Sequence, residues 1–191
     1  MISPALWRAF PWAPLARPGA PFSPEYRPRA SGAGRFDLPL PGDATALYLA
    51  ETPEHAVGEL LQDLRNQTLD DDDLVVAGYR LTLALLHLRA SIAADIPDLC
   101  DAATLVDRAI PPDELAYRDR GVTQAIAARL RGSGAAGFRW WSAIAGEWHS
   151  VVLFSDRLPA GAVRASRPQP LTTDHAAVRD ACEMLGIRIV G

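Results

Sequence analysis

Apolar residues fall in short blocks divided by turn-forming residues, and the spacing inside each block predicts the element it forms. Ala5 to Phe10 has strand character, although proline dominates its surroundings: nine of the sixteen prolines lie in the first 41 residues. That density forbids a long helix and favours extended or turn structure. Residues 1–43 are therefore expected to form a Pro/Arg-rich N-terminal arm, and 44–191 the remainder of one domain. After Gly42-Asp43, the run Ala44 to Ala50 predicts a buried strand. Thr52-Pro53 then opens a helix, with Thr52 as N-cap and Pro53 in the first helical position. Val57, Leu60, Leu61 and Leu64 supply its apolar stripe, and the helix is expected to end near Leu64.

Leu74 to Ile92 is rich in branched residues and reads as two strands or one bent strand, while Leu81 to Leu88 fits a buried helix equally well. Helices are predicted over 102–108 and 122–131, the second stopping at Gly132. Strands follow over 137–142 and 150–154. Asp174 to Leu185 predicts a closing helix terminated by Gly186, and Ile187 to Val190 a last strand. There are no internal repeats. Strands and short helices mix without regular βαβ alternation, so the class is α+β.

Composition narrows the chemistry. All nineteen Lys+Arg residues are arginine. A chain without lysine forms no Schiff base, has no P-loop lysine and builds no Ser-x-x-Lys acylase. Cys100 and Cys182 make no Cys-x-x-Cys pair, which fits a reducing cytosol, although one bridge between them stays formally open. No run approaches the roughly 18 apolar residues of a membrane span, and Arg8, Pro11 and Pro14 interrupt any signal-peptide core. The expectation is a soluble, cytoplasmic protein. A pI near 5.5 argues against direct nucleic-acid binding. Charge is uneven: residues 1–36 hold a net +4, which leaves −8 for the rest.

Several motifs fail on context. Gly132-Ser-Gly134-Ala-Ala-Gly137 matches Gly-x-Gly-x-x-Gly, but a helix precedes it and a strand follows, the reverse of a dinucleotide fingerprint. Asp70 to Asp73 lacks the alternation of a calcium loop and reads as a solvated turn. His55, His87, His149 and His175 are scattered without ligand spacing, so no metal site is expected. No Gly-x-Ser-x-Gly elbow or cysteine-nucleophile signature occurs. What remains is a set of polar residues in apolar surroundings: Arg8, Arg35, Tyr48, Glu59 and Ser142. Each has an ordinary explanation. Tyr48 suits a core tyrosine with a bonded hydroxyl, and Glu59 lies opposite the apolar stripe, on the solvated side of its helix.

The order and spacing of these residues resemble the RES domain family, named for its Arg, Glu and Ser. The segments that carry the resemblance are Leu6-Trp-Arg8, Gly34-Arg35-Phe36-Asp37, Tyr48 to Glu59, and Gly137-Phe-Arg-Trp-Trp-Ser142. Asp98-Leu-Cys-Asp101, Thr123-Gln124 and Val151 to Phe154 add to it, so that it runs from about Leu6 to Phe154. Tyr48 to Glu59 is the most specific stretch. The family's usual Gly-Arg-Trp-Asn reads Gly-Arg-Phe36-Asp37 here, which keeps the aromatic and adds a negative charge beside Arg35.

The resemblance implies a single ADP-ribosyltransferase-like domain, a mixed β core with flanking short helices, with the N-terminal arm contributing to the site. It also implies an enzyme that cleaves NAD+ to nicotinamide plus ADP-ribose or, with phosphate as co-substrate, its 1″-phosphate. Glu59, Tyr48 and Arg35 would be the catalytic residues. Arg8, Arg35, Tyr48 and Ser142 would bind NAD+, which is substrate rather than cofactor. A carboxylate suits an oxocarbenium-like state and guanidinium forks suit a pyrophosphate. Family members are commonly toxins paired with a helix-turn-helix, Xre-type antitoxin. Whether the chain forms a homodimer stays open, as do ADP-ribosyl transfer to a protein and a non-catalytic binding module. Glycoside hydrolysis by Glu54 and Glu59 is disfavoured, because i and i+5 do not share a helix face.

Overall fold

A computed structural model of the protein describes residues 5–17, 20–23, 34–38 and 45–190. Much of the expected arm lies outside them. The first strand, β1, is Ala5–Pro11, with Leu6, Ala9 and Phe10 buried, and β2 is Ala46–Ala50. Helix α1, Pro53–Leu61, starts as its cap residues predict: the Thr52 hydroxyl accepts the His55 N–H at 3.4 Å. A 3-10 turn over Gln62–Leu64 ends it at the expected place.

Thr68–Leu69 is β3, Val75–Val76 is β4 and Tyr79–Leu88 is β5. The two-strand reading of this stretch therefore holds. Ala77 and Gly78 between β4 and β5 both have positive φ, 53° and 80°, the geometry that lets a two-residue loop follow strand twist. The end of the predicted strand departs, because the alanine-rich Ala90–Ala94 winds into a short helix, α2. Helix α3, Ala102–Asp107, is capped by the Asp101 carboxylate, which accepts the Thr104 N–H at 3.0 Å. Pro112–Ala116 forms α4, an element absent from the sequence reading. Helix α5, Arg120–Gly132, begins earlier than predicted because Asp119 caps it, accepting the Gly121 N–H at 2.8 Å. Gly134 rather than Gly132 takes the positive φ, 94°, beyond it.

Next come β6, Gly137–Trp141, and β7, His149–Phe154, then β8, Val163–Ala165, and β9, Gln169–Pro170. Helix α6, Ala176–Leu185, ends at a left-handed Gly186 as predicted, and β10 is Arg188–Ile189. The class is α+β, as expected. Both cysteines are free. Among the described residues no helix is long and apolar enough to cross a membrane.

The described residues divide into two units, one of 34–38, 45–48 and 88–163, the other of 5–17, 20–23, 49–87 and 164–190. In the first, β6 pairs antiparallel with β7 from Gly137↔Leu153 to Trp141↔His149, and β7 neighbours β2. Its core gathers Phe36, Leu99, Leu115, Ile126, Leu130, Phe138, Trp140 and Phe154. The Phe36 ring stands edge-on to Phe138 and Trp140, with centroids at 4.9 and 4.7 Å. The loop between α2 and α3 is fixed to β6 through Arg139. Its backbone bonds Pro97 and Leu99, and its Nη1 lies 3.0 Å from both Asp98 carboxylate oxygens.

In the second unit, β1 pairs antiparallel with β5 from Ala5↔His87 to Pro11↔Leu81 and meets β2 at Trp7↔Ala50. Strands β4, β8 and β9 also pair with β5, and β10 runs parallel to β3. Helix α1 packs on β1 and α6. The buried side of α6 recurs at helical spacing through Ala177, Val178, Ala181, Cys182 and Leu185.

A Cβ on Gly137 would lie 2.1 Å from the Val152 carbonyl oxygen, whereas one on Gly146 meets nothing within 4 Å. Gly137→Ala is expected to lower unfolding free energy by about 2 kcal/mol or more. Gly146→Ala should change it by less than about 0.5 kcal/mol; urea denaturation of both variants checks the contrast. Burial pushes the Asp98 carboxyl up, but the Cys100 N–H and the Arg139 guanidinium outweigh it and hold the group below the usual carboxylate range. A depressed folded pKa contributes stability that is present above the unfolded value and is lost as pH falls through the folded one. Wild type should therefore exceed Asp98→Asn in stability at neutral pH, and melting curves of the two should converge as pH drops below about 4.

Candidate functional site

In the first unit, the Gly34–Leu38 segment is tied down from several sides. Asp37 Oδ2 accepts the Gly34 N–H at 2.7 Å, and the Asp37 N–H reaches the Gly34 carbonyl at 3.3 Å. Tyr48, on β2, donates its hydroxyl to Asp37 Oδ1 at 3.1 Å and accepts the Phe36 N–H at 2.9 Å. Glycine is required at 34, since a Cβ there would stand 2.3 Å from Asp37 Oδ1 and 2.7 Å from the Tyr48 hydroxyl. Helix α5 closes the other side. Gln124 Nε2 donates to the Gly34 carbonyl at 3.0 Å, and the Thr123 hydroxyl bonds both the Arg35 and Arg120 carbonyls.

Burial, and after it the Asp37 charge, push the Tyr48 hydroxyl well above its ordinary pKa, against a smaller opposing effect of Arg120. Tyr48 is thus a committed donor. The resemblance assigns Tyr48 to NAD+; in the structure its hydroxyl proton goes to Asp37. The charge added at Asp37 is likewise engaged by Gly34 and Tyr48 rather than by Arg35.

Arg35 is held differently. Its Nη2 donates to the Leu115 carbonyl, and its guanidinium carbon lies 5.1 Å from the Trp140 ring centre and 5.8 Å from that of Phe36. Its Nε is buried with no hydrogen-bond partner among the described residues, and no acid among them pairs with it. Burial lowers its pKa, yet a guanidinium remains charged. A cation lodged between aromatic rings, with no countercharge among the described residues, is suited to an anion.

Ser142 follows β6 and is 2% exposed. Its N–H donates to the Trp148 carbonyl at 2.6 Å, and its hydroxyl accepts the Ile144 N–H at 3.1 Å, which shapes the turn into β7.

Glu59 and Arg8 belong to the second unit. The Glu59 side chain is 43% exposed, as helical periodicity predicted, and its Oε1 lies 3.0 Å from Nε2 of a fully buried His55. The predicted stripe needs one correction: Leu60 is 42% exposed, and His55 joins Ala56, Val57 and Leu61 on the buried side. Arg8 is half-buried opposite Ala84, with its guanidinium 5.7 Å from the ring of Phe10, two residues along on the same strand face.

The structure thus joins Arg35 and Tyr48 in one network, to which sequence reasoning had not assigned Asp37, Thr123 and Gln124. Thr123, fully buried on the apolar side of an amphipathic helix, was the signal available for it. Gly132 to Gly137 joins the end of α5 to β6, with a helix before it and a strand after, and Asp70 accepts the N–H groups of Asp72 and Asp73 in a turn.

No curated protein matches the chain. Among solved structures, a chain from the M. tuberculosis MbcT–MbcA toxin–antitoxin complex is similar with a TM-score of 0.60 and 17% identity, over 95% of this chain and 88% of that one. At this identity the likeness is one of fold. The model of the RES domain matches residues 5–174. That span takes in Arg8, Arg35, Tyr48, Glu59 and Ser142 and most of the chain, which belongs to the RES domain family.

Proposed function

We propose that the protein cleaves the bond between nicotinamide and ribose in NAD+, by hydrolysis or phosphorolysis, as the toxin of a toxin–antitoxin pair in the cytoplasm. The observation that carries the substrate class is Arg35: a guanidinium stacked on Trp140, with no acid paired to it and Nε lacking a partner among the described residues. Its loop is fixed by other groups, so the charge is available to a pyrophosphate without reorganisation. Membership of the RES family supports the same reading.

Arg35 holds the pyrophosphate, and Arg8 offers a second fork. Tyr48 acts by fixing the Arg35 segment. Ser142 is assigned to NAD+ by the resemblance alone. Glu59 stabilises the ribose as the C1″–N bond breaks and its electron pair leaves with nicotinamide. Water or phosphate then bonds to C1″, and a water nucleophile gives up a proton. Neutral nicotinamide departs without a strong general acid, and the chemistry asks for no metal or nucleophilic side chain. For the toxin role the support is the fold shared with a chain of a toxin–antitoxin complex. The proposed partner is a helix-turn-helix, Xre-type antitoxin.

Purified protein incubated with NAD+, with and without phosphate, should release nicotinamide together with ADP-ribose or its 1″-phosphate. A modified protein in place of these products would instead indicate ADP-ribosyl transfer. Arg35→Ala should weaken NAD+ binding by roughly ten- to a hundredfold and Arg35→Lys by less, because lysine supplies charge but no fork; calorimetry showing equal affinity for all three proteins would remove the role. Glu59→Gln keeps the size and loses the charge. It should lower kcat by roughly 100- to 1000-fold while leaving KM little changed.

A further inference from the structure

We propose that His55 is a positioning residue that holds the Glu59 carboxylate in one rotamer for bond cleavage, an inference that rests on the role given to Glu59 above. A glutamate 43% exposed on a helix has several rotatable bonds, and a fixed hydrogen-bond partner selects among their settings. His55 is the opposite case. Its side chain is 0% exposed, the Thr52 hydroxyl holds its backbone N–H at the helix start, and α1 packs on β1 and α6. The ring is fixed by its surroundings, and Nε2 lies 3.0 Å from Glu59 Oε1.

A carboxylate only accepts, so Nε2 carries the proton of this hydrogen bond. The spacing of four residues lets one helix supply both the carboxylate and its guide. A pair serving helix stability alone would sit with both members in solvent. Here one partner occupies the buried face, where a leucine would pack without desolvating a polar ring. The imidazole therefore brings something a leucine cannot, a fixed donor aimed at the Glu59 carboxylate.

The test compares His55→Leu and His55→Gln with wild type in steady-state NAD+ cleavage and thermal melting, together with ¹⁵N imidazole spectra of wild type and Glu59→Gln. His55→Leu should lower kcat about 10- to 100-fold with KM within about twofold. His55→Gln, whose amide N–H reaches in the same direction, should recover most of that loss. In the spectra, the His55 Nε2 should bear a proton and its resonance should move on Glu59→Gln. A folded His55→Leu with wild-type kcat would overturn the inference while leaving the activity intact. So would equal losses in the leucine and glutamine variants that merely track melting temperature. If wild type cleaves no NAD+, the functional reading fails. The spectra then still decide the hold on Glu59: a resonance that moves supports it, and one indifferent to Glu59→Gln overturns it.

Discussion

The hydroxyl of Tyr48 is the point on which the Arg35 segment depends. It donates to Asp37 and accepts from Phe36, so one side chain on β2 fixes both a carboxylate and a backbone N–H in the two residues that follow Arg35. Remove that link and Phe36 loses the constraint that sets its ring against Phe138 and Trp140. The consequence for Arg35 is indirect and physical. A half-buried cation ordinarily gains from a carboxylate beside it to offset desolvation. Here the backbone that bears it is held by Tyr48, Thr123 and Gln124, and aromatic faces receive the guanidinium, which has no acid beside it among the described residues.

Much of the fold was legible because local signals agreed with the final packing. Thr52-Pro53 marked the start of α1, Gly186 the end of α6, and the branched run after Leu74 the β4–β5 hairpin. Where reading failed, tertiary contacts or caps had decided. Asp119 moved the start of α5, and the alanines at 90–94 followed helix propensity against a strand prediction. Leu60 leaves the predicted stripe and His55 joins the buried side because a 100° step per residue leaves the edges of a stripe undefined over nine residues. Periodicity locates the middle of a helical face better than its borders.

The candidate residues were legible as types and positions, but not as contacts. Arg35, Tyr48 and Glu59 were singled out from order and spacing. That the Tyr48 proton goes to Asp37, and that the Gln124 amide reaches the Gly34 carbonyl, are facts of tertiary distance that no local pattern encodes. The lack of lysine belongs here too. It excluded whole chemistries at the outset, yet it says nothing of which arginine matters; contact with two aromatic rings and a buried Nε without a hydrogen-bond partner separate Arg35 among the described residues.

Asp37 shows how one departure from a family pattern is absorbed by geometry. Two donors converge on its side chain, the Gly34 N–H on one oxygen and the Tyr48 hydroxyl on the other. A carboxylate meets both as an acceptor. An amide would present an NH2 group to one of them and force a rotation of the Tyr48 hydroxyl, so asparagine and aspartate define two different hydrogen-bond senses through the same frame. The aspartate also adds a charge, and its effect falls first on the nearest titratable proton: after burial, it is the Asp37 charge that raises the Tyr48 pKa. The negative charge is thereby turned toward keeping a structural donor protonated and away from neutralising Arg35, so an acid two residues from the proposed anion clamp does not compete with the anion.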